Sequence, residues 1–155
     1  MSTGVMRLRE MTIRYRATRL PDGEPLMVGR RIRNAAELAP TLIALLRDEP
    51  SEVFVILCLS TKCRVMAFHE VSRGTLDATL VYPRDVFKAA ILASAASIVL
   101  AHNHPSGDAT PSIDDLRLTD RLVAGGRILG IPIADHLIIG DGTWVSLRDR
   151  GHPLG

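Results

Sequence analysis

The sequence predicts one α/β domain, a mixed central β-sheet flanked by helices. Three observations predict it. The stretch Glu52–Leu59, EVFVILCL, is short and almost unbroken in its apolar character, the pattern of a strand buried on both faces. Stretches with apolar residues three and four apart alternate with such strands and begin with helix-start chemistry. A chain of 155 residues is long enough to bury a real core and short enough to be one domain, so residues 1–155 are read as one unit.

The elements follow in order. Met11–Leu20 alternates Met11, Ile13, Tyr15 and Ala17 with Arg14 and Arg16, which predicts a half-buried strand. Pro21-Asp22-Gly23 predicts a turn. Asn34, with Glu37 three residues on, predicts a helix start, and Leu38, Leu42, Leu45 and Leu46 form its apolar stripe. Pro40 inside this run is expected to kink the helix or delay its start. After Glu52–Leu59, Ser60-Thr61-Lys62 turns the chain into a second strand, Arg64–Glu70, and a third is expected around Leu76–Tyr82. Pro83 suits a first helical turn, with Val86, Phe87, Ala90 and Ile91 as the buried face. Ser97–Ala101 is an apolar strand that delivers the chain to His102. Ile113–Ala124 reads as a helix closed by Gly125-Gly126. Ile131–Ile139 and Thr143–Leu147 are strands joined by the hairpin signal Gly140-Asp141-Gly142. Trp144, the sole tryptophan, is assigned to the core.

Composition excludes some classes and locates the charge. No run of about 18 apolar residues is present, so no membrane span is expected. The first residues, MSTGVMRLRE, lack an apolar signal core, and the chain has only two cysteines, Cys58 and Cys63; a cytoplasmic location with reduced thiols is the expectation. The net charge is only +2, but residues 1–33 hold eight arginines against Glu10, Asp22 and Glu24, a local net of +5. Such a basic end supports weak, salt-sensitive contact with nucleic acid at most.

The chemistry concentrates in residues 101–115, AHNHPSGDATPSIDD. Side chains two apart on a strand point the same way, so His102 and His104 can reach one point. Asp115 lies at the start of the next helix, after a loop of turn-forming residues. Two imidazoles and a carboxylate make three metal ligands, with a fourth position for water. The same residues also fit ordinary capping, with Ser112 as cap and Asp115 as the third helical residue. Spacing alone leaves both readings open. Asp108, Asp114 and Asp135 are the other acids nearby, and Asp135-His136 could supply a bond that orients a metal-bound histidine.

His102-Asn103-His104-Pro105-Ser106-Gly107, then Pro111-Ser112, then Asp115, closely resemble the JAMM metalloprotease signature as it occurs in bacterial RadC-type proteins. Gly74-Thr75-Leu76-Asp77, Pro83-Arg84-Asp85-Val86-Phe87 and Asp135-His136-Leu137-Ile138-Ile139-Gly140-Asp141-Gly142 extend the resemblance over about residues 34–150. It implies a cytidine-deaminase-like fold, also called JAB or MPN, with zinc on His102, His104 and Asp115. It implies a glutamate base on a strand shortly before the Gly-Thr pair, where Glu70 stands, and an oxyanion donor at Ser112. A zinc-dependent metallopeptidase or isopeptidase follows, acting on a protein or peptide, with a ubiquitin-like tail among the candidates. RadC-type proteins also carry a DNA-repair label, and many place a helix-hairpin-helix region before this domain; residues 1–33 here read as strands and turns. The alternatives are a DNA-repair-associated protein and a non-catalytic interaction module on the same fold. The complete set of ligands, base and serine argues for the enzyme, and a single-metal site with one base suits amide hydrolysis better than phosphodiester cleavage.

Overall fold

Glu52–Leu59 (β1) is the strand on which the rest is assembled, and it has the predicted limits. The protein is described here from a computed structural model, which describes residues 10–17, 28–74 and 80–155. The elements in chain order are α1 (Ala35–Leu46), β1, β2 (Val65–Gly74), α2 (Pro83–Leu92), β3 (Ser97–Asn103), α3 (Ile113–Leu129), β4 (Ile133–Ile139) and β5 (Trp144–Ser146). The sheet order is β2-β1-β3-β4-β5, with β3 and β4 parallel and every other neighbour antiparallel. The expected mixed α/β sheet is therefore present.

The two faces of β1 divide the core. Val53, Val55, Leu57 and Leu59 pack with Leu38, Ala39, Leu42 and Leu46 of α1. Phe54, Ile56 and Cys58 pack with Val86, Phe87 and Ala90 of α2 and Leu118, Leu122 and Val123 of α3. Alternation within one apolar run thus feeds two cores, which is why β1 shows no polar face. Each large side chain buried there contributes roughly 1.5–3 kcal/mol. The sheet is sandwiched, with one helix on one face and two on the other.

Several expectations need correction. Residues 11–17 form no strand, and Met11, Ile13 and Tyr15 are exposed. Among the described residues this alternation has no partner strand to fulfil it; the pairing found nearby is one isolated bridge, Arg31 to Arg64. Residues 18–20 of that strand and the turn at 21–23 lie outside the described residues. Pro40 does not delay α1, which starts at Ala35 and runs through it. The cap on Asn34, whose side chain accepts from the Glu37 N–H, and the buried leucine stripe outweigh one missing bond on an exposed turn. Residues 80–82 of the expected third strand are turn and irregular backbone, and the rest of it lies outside the described residues. β2 instead runs on to Gly74. Ile91 is exposed, while Val86, Phe87 and Ala90 are buried as expected. Trp144 is half-buried against the α1 side of the core.

α3 does not stop at Gly125-Gly126 but continues to Leu129 and ends on Gly130, which is left-handed at φ +71°. The two glycines serve packing. A Cβ on Gly126 would stand 2.4 Å from the Ile131 carbonyl oxygen, and one on Gly125 would stand 3.0 Å from the Phe87 ring. Close approach of α3 to α2 and to the turn at Ile131 that leads into β4 calls for them.

Candidate metal centre

β3 ends at His102 and Asn103, and α3 begins nine residues after His104, so both present their ends at one edge of the sheet. Ligand sites in open α/β sheets favour this place, beyond the carboxyl ends of parallel strands. The loop between is fixed rather than loose. The His104 N–H donates to the Ile139 carbonyl at 2.8 Å, and the Asp141 N–H to the Gly107 carbonyl at 2.9 Å. Gly140 has no room for a side chain, since a Cβ would meet the Gly107 carbonyl oxygen at 2.3 Å.

The three donors converge. His102 Nε2 lies 3.1 Å from Asp115 Oδ1, His104 Nε2 lies 3.0 Å from Asp115 Oδ2, and the two Nε2 atoms are 3.0 Å apart. The donors of His102, His104 and Asp115 form the one group able to hold a metal ion found among the described residues. His102 and Asp115 are buried and His104 is half-buried. The capping reading of Asp115 holds, and it leaves the metal reading open to the same carboxylate. The Ser112 hydroxyl accepts from the Asp115 N–H at 3.0 Å, Asp115 Oδ2 accepts from the Ser112 N–H at 2.8 Å, and the same carboxylate faces both imidazoles. Capping is the device that aims this carboxylate at the imidazoles.

Electrostatics agree with a site built for positive charge. Burial alone pushes the Asp115 carboxyl up, but the two imidazoles that face it and the Ser112 N–H hold it well below the usual carboxylate range. The Asp115 carboxylate raises the His104 imidazole against its burial, helped by the Asp108 carbonyl and the charge of Glu52. His104 Nδ1 donates to that Asp108 carbonyl at 2.7 Å, which leaves its Nε2 facing the other donors. Three atoms with lone pairs this close repel one another unless a cation, a proton or a metal, lies between them. A tetrahedral ion at about 2.0–2.2 Å from each donor spaces them only slightly wider. The donor set therefore fits such an ion.

The catalytic assignments divide. Ser112 borders the cleft, which has a volume of about 340 Å³ and is also lined by His104, Asp115, Asp108, Asp114 and Glu52. Glu70 is not there. It pairs with Val55, whose side chain faces α1, and it is held in an exposed ion-pair cluster with Arg73 and Glu49. Besides Asp108 and Asp114, the fold brings Glu52 to the cleft, a residue that sequence reasoning passed over. Phe54 pairs with His102 across the β1/β3 ladder, and their rings stack at 5.9 Å. Two residues back along β1 and two forward along β3 stand Glu52 and His104, on that same face. The signal was present as strand alternation, but the register of β1 on β3 was needed to use it. Asp135 is also away from the cleft: its carboxylate accepts from Ser146 Oγ at 2.6 Å and from the backbone N–H groups of His136 and Arg148.

Asn103, between the two histidines, clasps the strand that carries Glu52. Its side-chain oxygen accepts from the Val53 N–H at 2.7 Å, and its amide donates to the Ser51 carbonyl at 3.0 Å. Asn103→Ala leaves a buried N–H and carbonyl without partners. A loss of about 1–3 kcal/mol is expected, read as a lower denaturant midpoint of the metal-free protein. An unchanged midpoint would show that water replaces the clasp.

Two strand-end histidines and a helix-start aspartate, gathered beside an acid on a mixed sheet, define an α/β domain with a candidate catalytic metal site. The chain belongs to the RadC-like JAB domain family, whose model matches residues 32–152. It is 43% identical to a UPF0758 protein of Methanosarcina barkeri over 122 residues, 79% of this chain and 53% of that one. It is 50% identical to a UPF0758 protein of Moorella thermoacetica over 119 residues, 77% of this chain and 52% of that one. A UPF0758 protein of Desulforamulus reducens is 52% identical over 106 residues, 68% of this chain and 47% of that one. The chain thus spans about half the length of the curated relatives it matches. Among the described residues no helix is long and apolar enough to cross a membrane.

Proposed function

We propose that this domain is a zinc-dependent hydrolase of the JAMM type that cleaves an amide bond in a protein or peptide, an isopeptide bond to a ubiquitin-like tail included. The observation that carries the reading is the convergence of His102, His104 and Asp115 with Glu52 in the same cleft. Two imidazoles and one carboxylate are a set that catalytic zinc takes, with a position left for water. Zinc bound there lowers the pKa of its water toward neutrality and polarises a carbonyl.

The chain's own groups supply the rest. Glu52, half-buried at the start of β1, takes a proton from the attacking water and carries it to the leaving amine. Ser112 Oγ already accepts the Asp115 N–H, so its own O–H is free to donate to the oxygen on which charge develops. Phe54 and the buried His136 close the floor behind the histidines and keep water out beneath them.

Elemental analysis of protein purified without added metal tests the reading, with about one zinc per chain expected from three ligands. A panel of peptides and ubiquitin-like fusions then tests hydrolysis, which a chelator should stop and zinc restore. Protein that refuses added zinc, or cleavage that survives its removal, overturns the proposal.

A further inference from the structure

The imidazole of His102 has a second neighbour, and the chain of bonds behind it has a direction. Thr119 Oγ1 lies 2.7 Å from the Asp115 carbonyl oxygen, which can only accept, so the threonine proton is committed there. Thr119 Oγ1 also lies 2.7 Å from His136 Nδ1, so at this contact the ring nitrogen must donate. His136 is fully buried, and its ring nitrogens bond Thr119 and His102. An imidazole buried there without a touching carboxylate carries one proton, and that proton is on Nδ1. Its Nε2 is then an acceptor, and at 2.8 Å it takes the proton of His102 Nδ1. The remaining ring nitrogen of His102, Nε2, is left as a bare lone pair facing His104 and Asp115.

We propose that Thr119 and His136 are positioning residues that lock His102 in its Nδ1–H tautomer, so that Nε2 is always presented to a metal ion. The relay starts on the backbone of Asp115, a ligand of the same site, so the helix turn that aims the carboxylate also sets the tautomer of the facing imidazole. Metal-binding histidines commonly rest on a carboxylate, a carbonyl or water. Here a neutral histidine takes that place, and it can do so only because Thr119 fixes its own proton.

This inference rests on the zinc reading given above, and its test separates the two. Thr119→Val keeps the shape and removes the acceptor. His136 is then free to move its proton to Nε2 and donate to His102 Nδ1, which puts the His102 proton on Nε2, where it competes with metal. The expected result is an affinity for zinc about 10–100-fold weaker, as for loss of other partners behind a ligand, measured by competition with a chromogenic chelator. Thr119→Ser, which keeps the hydroxyl, should bind zinc like the parent. Imidazole nitrogen NMR of the metal-free protein gives the direct readout: His102 protonated at Nδ1 in the parent and the serine variant, and at Nε2 in the valine variant. His102 found with its proton on Nε2 in the parent overturns the relay, even if the valine variant does not fold. So does a valine variant that binds zinc as tightly as the parent, or a serine variant as weak as valine. A parent that binds no zinc yet shows the Nδ1–H tautomer removes the zinc reading and leaves the relay standing.

Discussion

Glu52→Gln is expected to lower amide hydrolysis by about 10²–10⁴-fold, the usual cost of losing a general base, with zinc content equal to the parent's. The glutamine keeps the size and hydrogen-bonding capacity of the side chain and removes its ability to take a proton. Glu52 lines the cleft beside His104, Ser112 and Asp115 but is not one of the three converging donors, so metal should be held without it. In barrier terms the loss is about 3–5 kcal/mol. Glu70→Gln is the matched control. Its carboxylate is engaged with Arg73 in an exposed cluster on the far side of β1, so turnover should not change. Paired measurements on one peptide or fusion substrate that the parent cleaves decide between the two acids. Intact turnover in Glu52→Gln, with a loss in Glu70→Gln, would return the base to β2.

The histidines were legible in the sequence and the glutamate beside them was not, and the reason is distance along the chain. His102, His104, Ser112 and Asp115 fall within fourteen residues, so local rules of strand alternation and helix capping place them together. Glu52 lies fifty residues before His102 and reaches it only through pairing of β1 with β3, which no local pattern encodes. A glutamate at the start of an apolar run looks like a solvated strand end. Glu70 carried the stronger local cue, its spacing to Gly74, but a register shift in β2 opposite Phe54 and Val55 sets it across from Val55, on the α1 face. The same logic covers the fold. β1 and the start of α1 were set by their own residues, whereas the end of α3 was misplaced because Gly125 and Gly126 answer to Phe87 and Ile131, contacts outside the helix. The alternation of residues 11–17 had no neighbouring strand among the described residues to bury it.

Asp115→Asn should separate the two duties that one carboxylate performs. The amide oxygen can still accept the Ser112 N–H, so α3 should keep its first turn, at a cost below the roughly 0.5–2 kcal/mol of removing a cap altogether. It brings no charge to the imidazoles, and one of its two ends is now a donor. Zinc affinity should fall by more than the about 10–100-fold that loss of an outer partner costs, and hydrolysis should fall with it. The metal-free proteins should also differ in acid. The Asp115 carboxyl is held below its ordinary value of 3.8 in the folded chain, so on acidification the unfolded chain takes up this proton first. Its stabilisation is fully present above about pH 4 and is lost as the pH falls through the lower folded value. The variant has no such group, and its stability should decline less steeply below pH 4. His136 works in a higher window. Burial holds its imidazole well below the ordinary 6.5, so its neutral form costs stability progressively as the pH drops below that value, in parent and variant alike. Denaturant titrations of both metal-free proteins across this range check the argument. Parallel curves below pH 4 would mean that the histidines do not stabilise the Asp115 carboxylate, and a variant that still binds zinc as tightly as the parent would remove Asp115 from the ligand set.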